Sequence, residues 1–318
     1  MESVCGYAGS FSFLKDIQQA AKRSGITRAV RNRDTPAIFD WLVTAFSFQG
    51  VSDQVARSYL TKHGGVTWHE ITTGLAIKSP CPLTTSYWHF DGCRYDKGSF
   101  TCSRPDLIDG CSLARHPLRN GRLNQMAYSF YLFIRDIAKN DIVGWIDQRL
   151  AAAETEPVKF GLRSRNRTES IIGPLRNIYG VSDKILTMAF SELMIGSGRP
   201  AWFVVGTEMI AIDTLVHNFL HRTGILDECG MPHPYGVRCY QEKGCAHIIH
   251  ALAQQIDASR FNPKYPEIFP RFIQHAIWRF CAADGLAICN GNRLDDRHAC
   301  EFRSCQLYSI CEHKPLKS

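Results

Sequence analysis

Thirteen cysteines are the most chemically loaded feature of this 318-residue chain. Four of them come last, as Cys289-x10-Cys300-x4-Cys305-x5-Cys311. Four more, Cys81, Cys93, Cys102 and Cys111, are separated by eleven, eight and eight residues. The first residues lack a basic leader followed by an apolar core, so no secretory signal is expected. In a reducing compartment so many thiols read as metal ligands rather than disulfides, and an odd number cannot pair completely. Four thiolates can hold zinc or an iron–sulfur cluster, and the spacing of the last four leaves both open. The earlier four lack the short C-x-x-C pairs of most zinc folds. They are either a second metal site, zinc or iron–sulfur, or unrelated thiols; a Pro/Gly/Asp-rich segment of that length favours a staple. Cys229, Cys239 and Cys245 with His233 are equally consistent with a further ligand set and with free thiols, and no site is assigned to them. Cys281 reads as a spare thiol packed as a small hydrophobe.

A lysine adds a second kind of chemistry. Gly180 marks a tight turn, Ser182 and Asp183 read as a helix cap, and the helix runs from Lys184 to Met194 and ends at Gly196. A short turn opening a helix aims several N–H groups outward, which makes an anion site. Lys184 in that first turn is unusual, because the helix dipole disfavours a cation there.

The elements that must carry these residues read as helices. Phe13, Ile17 and Ala21 fall at helical spacing in an N-terminal arm, residues 1–34. Thr35 as N-cap and Pro36 at the first helical position start a buried helix ending at Gln49-Gly50, and Ser52-Asp53 would cap the next. The second half of the segment Leu118–Arg135 is strongly apolar and predicts a core helix. Asp141 would cap a helix through Leu150. Arg163, Arg165 and Arg167 precede the Gly180 turn and are candidates for phosphate contact. Leu215 to Gly224 reads as a helix closed by glycine, and Pro270 to Cys281 as a buried helix leading to the last cysteines.

The stretch Gly180-Val181-Ser182-Asp183-Lys184, followed by Gly196-Ser-Gly-Arg-Pro200 and Ala211-Ile-Asp-Thr214, resembles the signature of helix-hairpin-helix DNA glycosylases of the endonuclease III family. That signature is Leu-Pro-Gly-Val-Gly-x-Lys, a helix, a Gly/Pro-rich loop and then (Val/Ile)-Asp-Thr. Tyr179 replaces its Pro and Ser182 its second Gly. The segment from Lys184 to Asp213 is longer than in the family. The terminal cysteines follow in the family's order, although only the final x5 gap of C-x6-C-x2-C-x5-C is kept. The likeness covers about residues 35–76 and 170–312; residues 77–130 look like a cysteine-rich insertion.

The resemblance implies an all-α, two-lobed helix-hairpin-helix fold. Its parts would be the arm 1–34 packed with the C-terminal lobe, a helical bundle 35–204, and a C-terminal lobe 205–318 bearing a [4Fe-4S] cluster on Cys289, Cys300, Cys305 and Cys311. It implies that Lys184 attacks the sugar C1′ and forms a Schiff base, and that Asp213 assists deprotonation and stabilises oxocarbenium-like charge. The turn amides of Gly180, Val181 and Ser182 would hold a phosphate. Gln49 matches the family residue that fills the gap left by the flipped nucleotide; a solvated helix-end glutamine is the plain alternative.

The expected activity is a DNA glycosylase with abasic-site lyase action on double-stranded DNA carrying a damaged, modified or abasic nucleotide. A non-catalytic or abasic-site-only DNA-binding protein is the alternative. The excess of 37 Lys and Arg over 30 Asp and Glu suits a polyanion. No apolar run is long enough for a membrane span. A monomer is expected, cytoplasmic and nucleoid-associated if prokaryotic. The target base is not encoded in these motifs.

Overall fold

The computed structural model describes the chain except residues 10–11, 49–52, 78–80, 97, 100, 114–121, 156–162, 290–295 and 317–318. In chain order the α-helices are α1 Glu2–Gly9, α2 Phe13–Arg23, α3 Ile26–Asn32, α4 Thr35–Phe46, α5 Asp53–His63, α6 Trp68–Ile77, α7 Arg122–Asp136, α8 Ile142–Thr155, α9 Arg163–Leu175, α10 Asp183–Gly196, α11 Pro200–Glu208, α12 Thr214–Arg222, α13 Ile225–Glu228, α14 Cys245–Ala253 and α15 Pro270–Cys281. Among the described residues the only sheet is a two-stranded hairpin, β1 Tyr95–Asp96 with β2 Thr101–Cys102, paired antiparallel with Tyr95 opposite Cys102. The protein is therefore all-α apart from one ribbon in the cysteine-rich insertion. No helix is long and apolar enough to cross a membrane among the described residues.

Two compact units divide the chain. The central unit is Gln19–Arg199, and the terminal unit joins Met1–Gln18 to Pro200–Ser318. The arm 1–34 is thus split: α1 packs on α15, whereas α3 packs on α4.

The central unit is built around α7. From Met126 to Ile134 every side chain is buried, polar Ser129 included. A helix that is apolar on nearly all sides belongs in the middle of a bundle. Phe130 stacks on Phe39 of α4 at 5.4 Å, and Phe133 meets Trp145 of α8 edge-on at 5.2 Å. Each such ring contributes about 1.5–3 kcal/mol by leaving water. The buried polar groups of α7 are tethers. Gln125 donates to the Cys93 carbonyl, Asn124 to the Tyr95 hydroxyl, and Tyr128 to the Ser112 carbonyl, all within the insertion. Ser129 accepts from the Tyr179 N–H at 3.1 Å, just before Gly180. One helix therefore holds both the insertion and the turn.

Two helix caps illustrate how local sequence sets the ends. Asp34, not Thr35, is the N-cap of α4; its carboxylate accepts from the Ala37 N–H at 3.1 Å. Thr35 is the first helical residue, and its hydroxyl accepts from the Ile142 N–H of α8 at 3.4 Å. Asp141 caps α8 through the Gly144 N–H at 2.9 Å and also pairs with Arg33. That arginine and the capping bond together hold the Asp141 carboxyl below its usual range despite partial burial.

The terminal unit packs around α15. Phe272, Ile273, Ala276, Ile277 and Phe280 are fully buried, and α15 meets α1, α11, α12 and α14. Pro270 starts the helix without losing a needed donor, as expected for the first turn.

Candidate functional site

Helix α9 ends at Leu175 and α10 begins at Asp183. Between them Gly180 has φ 74, in the left-handed region that glycine enters without a Cβ penalty. Ser182 is the N-cap residue of α10 by its extended backbone, with φ −86 and ψ 157. Arg176 crosses the turn. Its guanidinium makes a fork to Glu169 of α9 at 2.6 and 2.8 Å and donates to Asp183 of α10 at 2.9 Å. Those two carboxylates hold the guanidinium pKa above its ordinary value. Gly180 and Ser182 are exposed, and Val181 and Lys184 are half-buried. Lys184 lies one residue inside the helix, in its first turn.

Arg163 is committed to the fold. It donates to the carbonyls of Ala153 at 3.4 Å and Glu154 at 2.7 Å, at the end of α8. Arg165, on the same first turn of α9, is partly exposed. Gln49, the candidate gap-filling residue, lies outside the described residues.

Asp213 belongs to the terminal unit. It is the N-cap of α12, and its Oδ1 accepts from the Val216 N–H at 2.9 Å. The side chain is half-buried. Capping uses one carboxylate oxygen, Oδ1. The residue before it is gripped from another segment. The Tyr240 hydroxyl accepts from the Ile212 N–H at 2.8 Å and donates to the Ile212 carbonyl at 3.1 Å.

The last four cysteines stand around an open cavity of about 340 Å³. Its other walls include Phe219 and Arg222 of α12 and Phe280 of α15. The segment after Cys311 is stitched to α12: Lys314 N–H donates to the Arg222 carbonyl at 3.0 Å, and the Lys314 ammonium pairs with Asp227 at 2.8 Å. Burial raises the thiol pKa of Cys305 and Cys311. Cys289 is moved the other way, by a hydrogen bond from Cys281 and by the charge of Arg222. Cys281 itself is buried, and burial pushes its thiol well up. It is 1% exposed, packed as a small hydrophobe would be.

Arg222 is the unusual group here. It is 2% exposed, and among the described residues its two terminal nitrogens make no hydrogen bond and its ion pair is to Asp296, long at 3.5 Å. A buried guanidinium held by a single long ion pair among the described residues is costly, and this one lines a cavity ringed by four thiols.

A different set of side chains converges tightly. His217, His233, Cys239 and Cys245 place one ligand atom each within 4.8 Å of all the others, a group able to hold a metal ion. His217 comes from α12, His233 from the loop after α13, Cys239 from a 3-10 turn at Val237–Tyr240, and Cys245 from the first position of α14. Cys239 and Cys245 are fully buried and His217 nearly so. His217 Nδ1 is 3.3 Å from Cys245 Sγ and 3.6 Å from Cys239 Sγ; His233 Nε2 is 3.4 Å from Cys245 Sγ. Hydrogen bonds from Cys245 and His217 hold the Cys239 thiol low. Gly244 lets the two cysteine segments meet, since a Cβ there would run into the Arg238 carbonyl. Cys229, from the same stretch of sequence, is exposed and outside this group.

The insertion cysteines are organised differently. Cys81, Cys93 and Cys102 are buried and Cys111 is half-buried. Cys81 N–H donates to the Gly110 carbonyl at 3.0 Å, which closes the segment into a loop. Burial pushes the Cys93 thiol up to about 11, with Cys111 and Cys102 adding to the rise. Their ligand atoms do not form a group as tight as the His217 set.

His217 carried no sequence signal. It sits on an apolar helix and lies 22 and 28 positions from its sulfur partners. A histidine one turn after a helix cap, followed by a Cys-x5-Cys pair, is a pattern visible only with hindsight. No family model, curated protein or solved structure matches the chain.

Proposed function

We propose that the protein is a DNA glycosylase of the helix-hairpin-helix type with abasic-site lyase action, working as a monomer on duplex DNA that carries a damaged or modified base. The observation that carries this reading is Lys184 in the first turn of α10, directly after the clamped, left-handed Gly180 turn. The turn's exposed backbone is suited to a phosphate, and the lysine beside it to the adjoining sugar.

In this reading the target nucleotide leaves the stack. The Asp213 carboxylate would offset positive charge on the sugar as the base departs with the electrons of its bond to C1′ and takes up a proton from solvent. The Lys184 amine attacks C1′; the C1′–O4′ bond then breaks as the nitrogen gives up a proton to O4′, which opens the sugar and leaves an imine. Loss of a C2′ proton then expels the 3′ phosphate, which cuts the strand. Gln49 would occupy the vacated stack.

Cys289, Cys300, Cys305 and Cys311 would hold a [4Fe-4S] cluster. A cavity of about 340 Å³ lined by all four cysteines and by the buried Arg222 guanidinium supports an anionic metal–thiolate group there. When bound, the cluster would supply structure, fastening two polar loops to α12 and α15.

Borohydride trapping on duplex DNA with an abasic site tests the lyase reading. Wild type is expected to form a covalent adduct by reduction of the imine, and Lys184→Ala to form none. A Lys184→Ala variant that traps as well as wild type would remove the proposed role of Lys184. DNA binding without trapping and without base release from damaged duplexes would favour the non-catalytic binder.

A further inference from the structure

We infer that His217, His233, Cys239 and Cys245 form a closed, four-coordinate zinc site whose function is to fix the start of α12. The donor chemistry points to the metal. Two sulfurs and two imidazole nitrogens suit zinc, whereas no oxygen ligand is present to favour calcium or magnesium. Zinc with sulfur at ~2.3 Å and nitrogen at ~2.0–2.1 Å separates a neighbouring sulfur and nitrogen by about 3.6 Å at a tetrahedral angle. The three sulfur–nitrogen separations of 3.3, 3.6 and 3.4 Å approach that edge.

The shell around the ligands fits the same purpose. His233 Nδ1 lies 2.7 Å from the Met231 carbonyl, which fixes the ring so that Nε2 faces Cys245. Cys245 is the first residue of a nine-residue helix, so the helix start fixes its direction. The two sulfurs and His217 are buried, so no position is held open for substrate. That distinguishes a structural zinc from a catalytic one.

Two connections tie the site to Asp213. His217 N–H donates to the Asp213 carbonyl at 3.0 Å, one helical turn away. Tyr240, adjacent to Cys239, brackets Ile212 on the other side. The metal therefore holds α12 through His217 and the segment entering it through the Cys239–Tyr240 turn. Tyr240 is a positioning residue for Asp213; this second half rests on the proposed glycosylase reading, whereas the zinc itself does not.

The test is metal analysis of the full-length protein, followed by cobalt replacement. About one zinc per chain is expected at this site, and cobalt should give the visible bands of a tetrahedral site with sulfur ligands. His233→Ala, at the half-buried rim, should abolish or shift those bands, and Cys93→Ser should leave them. Wild type that carries no zinc and develops no such spectrum overturns the proposal. So does a spectrum lost in Cys93→Ser and kept in His233→Ala. For the coupling, Tyr240→Phe should keep its zinc and still trap on a pre-formed abasic site, while base release falls about tenfold. Unchanged base release overturns the coupling alone. A wild type with zinc but no base release overturns the glycosylase reading and leaves the zinc site intact.

Discussion

The hydroxyl of Ser129 accepts from the backbone N–H of Tyr179 at 3.1 Å, so the most buried helix of the central unit holds the residue before Gly180. Ser129 itself is 3% exposed, so the acceptor of this bond is out of water. The Gly180 turn is thus anchored twice, by Ser129 from below and by Arg176 across its mouth.

Ser129→Ala should therefore leave a backbone donor without its partner. The expected cost is about 1–3 kcal/mol of stability, read from denaturant unfolding. Borohydride trapping should weaken as well, because the turn that precedes Lys184 is loosened. Arg176→Gln, by contrast, removes partly exposed ion pairs and should cost roughly 1 kcal/mol or less. Equal costs for the two variants would contradict this ranking.

The sign of an Arg222 substitution separates a filled cavity from an empty one. Without an anionic group, a buried guanidinium held only by a long ion pair to partly exposed Asp296 among the described residues destabilises the fold, so Arg222→Leu should stabilise the iron-free chain. With a cluster present, the same change removes compensating positive charge. Iron retention after dialysis should then fall and the cluster's reduction potential should drop. Thermal unfolding of both forms, with iron analysis, reads the two effects. A variant that keeps its iron and its potential would show that Arg222 does not face the cluster.

Replacing Cys305 with Ser addresses the ligands directly. Visible colour and iron content should be lost together, with reduced solubility, because the cavity walls on Phe219 and Phe280 would be exposed. A colourless wild type without iron, yet stable, would overturn the cluster. Zinc at the His217 group should survive in Cys305→Ser, since none of its ligands lines the cavity.

Helix ends were readable where one residue type has one physical use. Pro270 and the apolar run to Cys281 match α15, and Asp141 has no competitor as the cap of α8. Asp34 and Thr35 are both good caps, and the choice between them was made by α8, which recruits the Thr35 hydroxyl. Sequence spacing cannot report such a distant partner. The same limit hid the tightest ligand group. His217 looks like any buried helical histidine until the turn at Val237–Tyr240 folds Cys239 against it. Exposed Cys229 competes with the true ligands in sequence and differs from them only in burial. Buried Arg222 was equally invisible, because an arginine near a helix end ordinarily reads as dipole stabilisation.

Two histidines away from the ligand groups should make stability depend on pH. Burial lowers the pKa of His275 from 6.5 to about 3, with Arg271 and Arg279 adding to the effect, and lowers that of His250 to about 4. Both rings are therefore neutral in the folded protein across the range in which the unfolded chain takes up a proton. The unfolded state then binds more protons, so stability is complete above about pH 6.5 and falls as the pH drops toward the folded values. Each histidine contributes a slope of up to about 1.4 kcal/mol per pH unit in that window. His275 stacks on Phe13 at 3.9 Å, so His275→Phe keeps an aromatic contact while removing the titrating group. Unfolding free energies of wild type and His275→Phe should converge or cross as the pH falls from 6.5 to 4.5, with the variant showing the shallower loss. Since both proteins carry the same metal ligands, acid release of metal acts on each alike and drops out of the difference. Parallel pH profiles would mean that the His275 ring takes up its proton in the folded state.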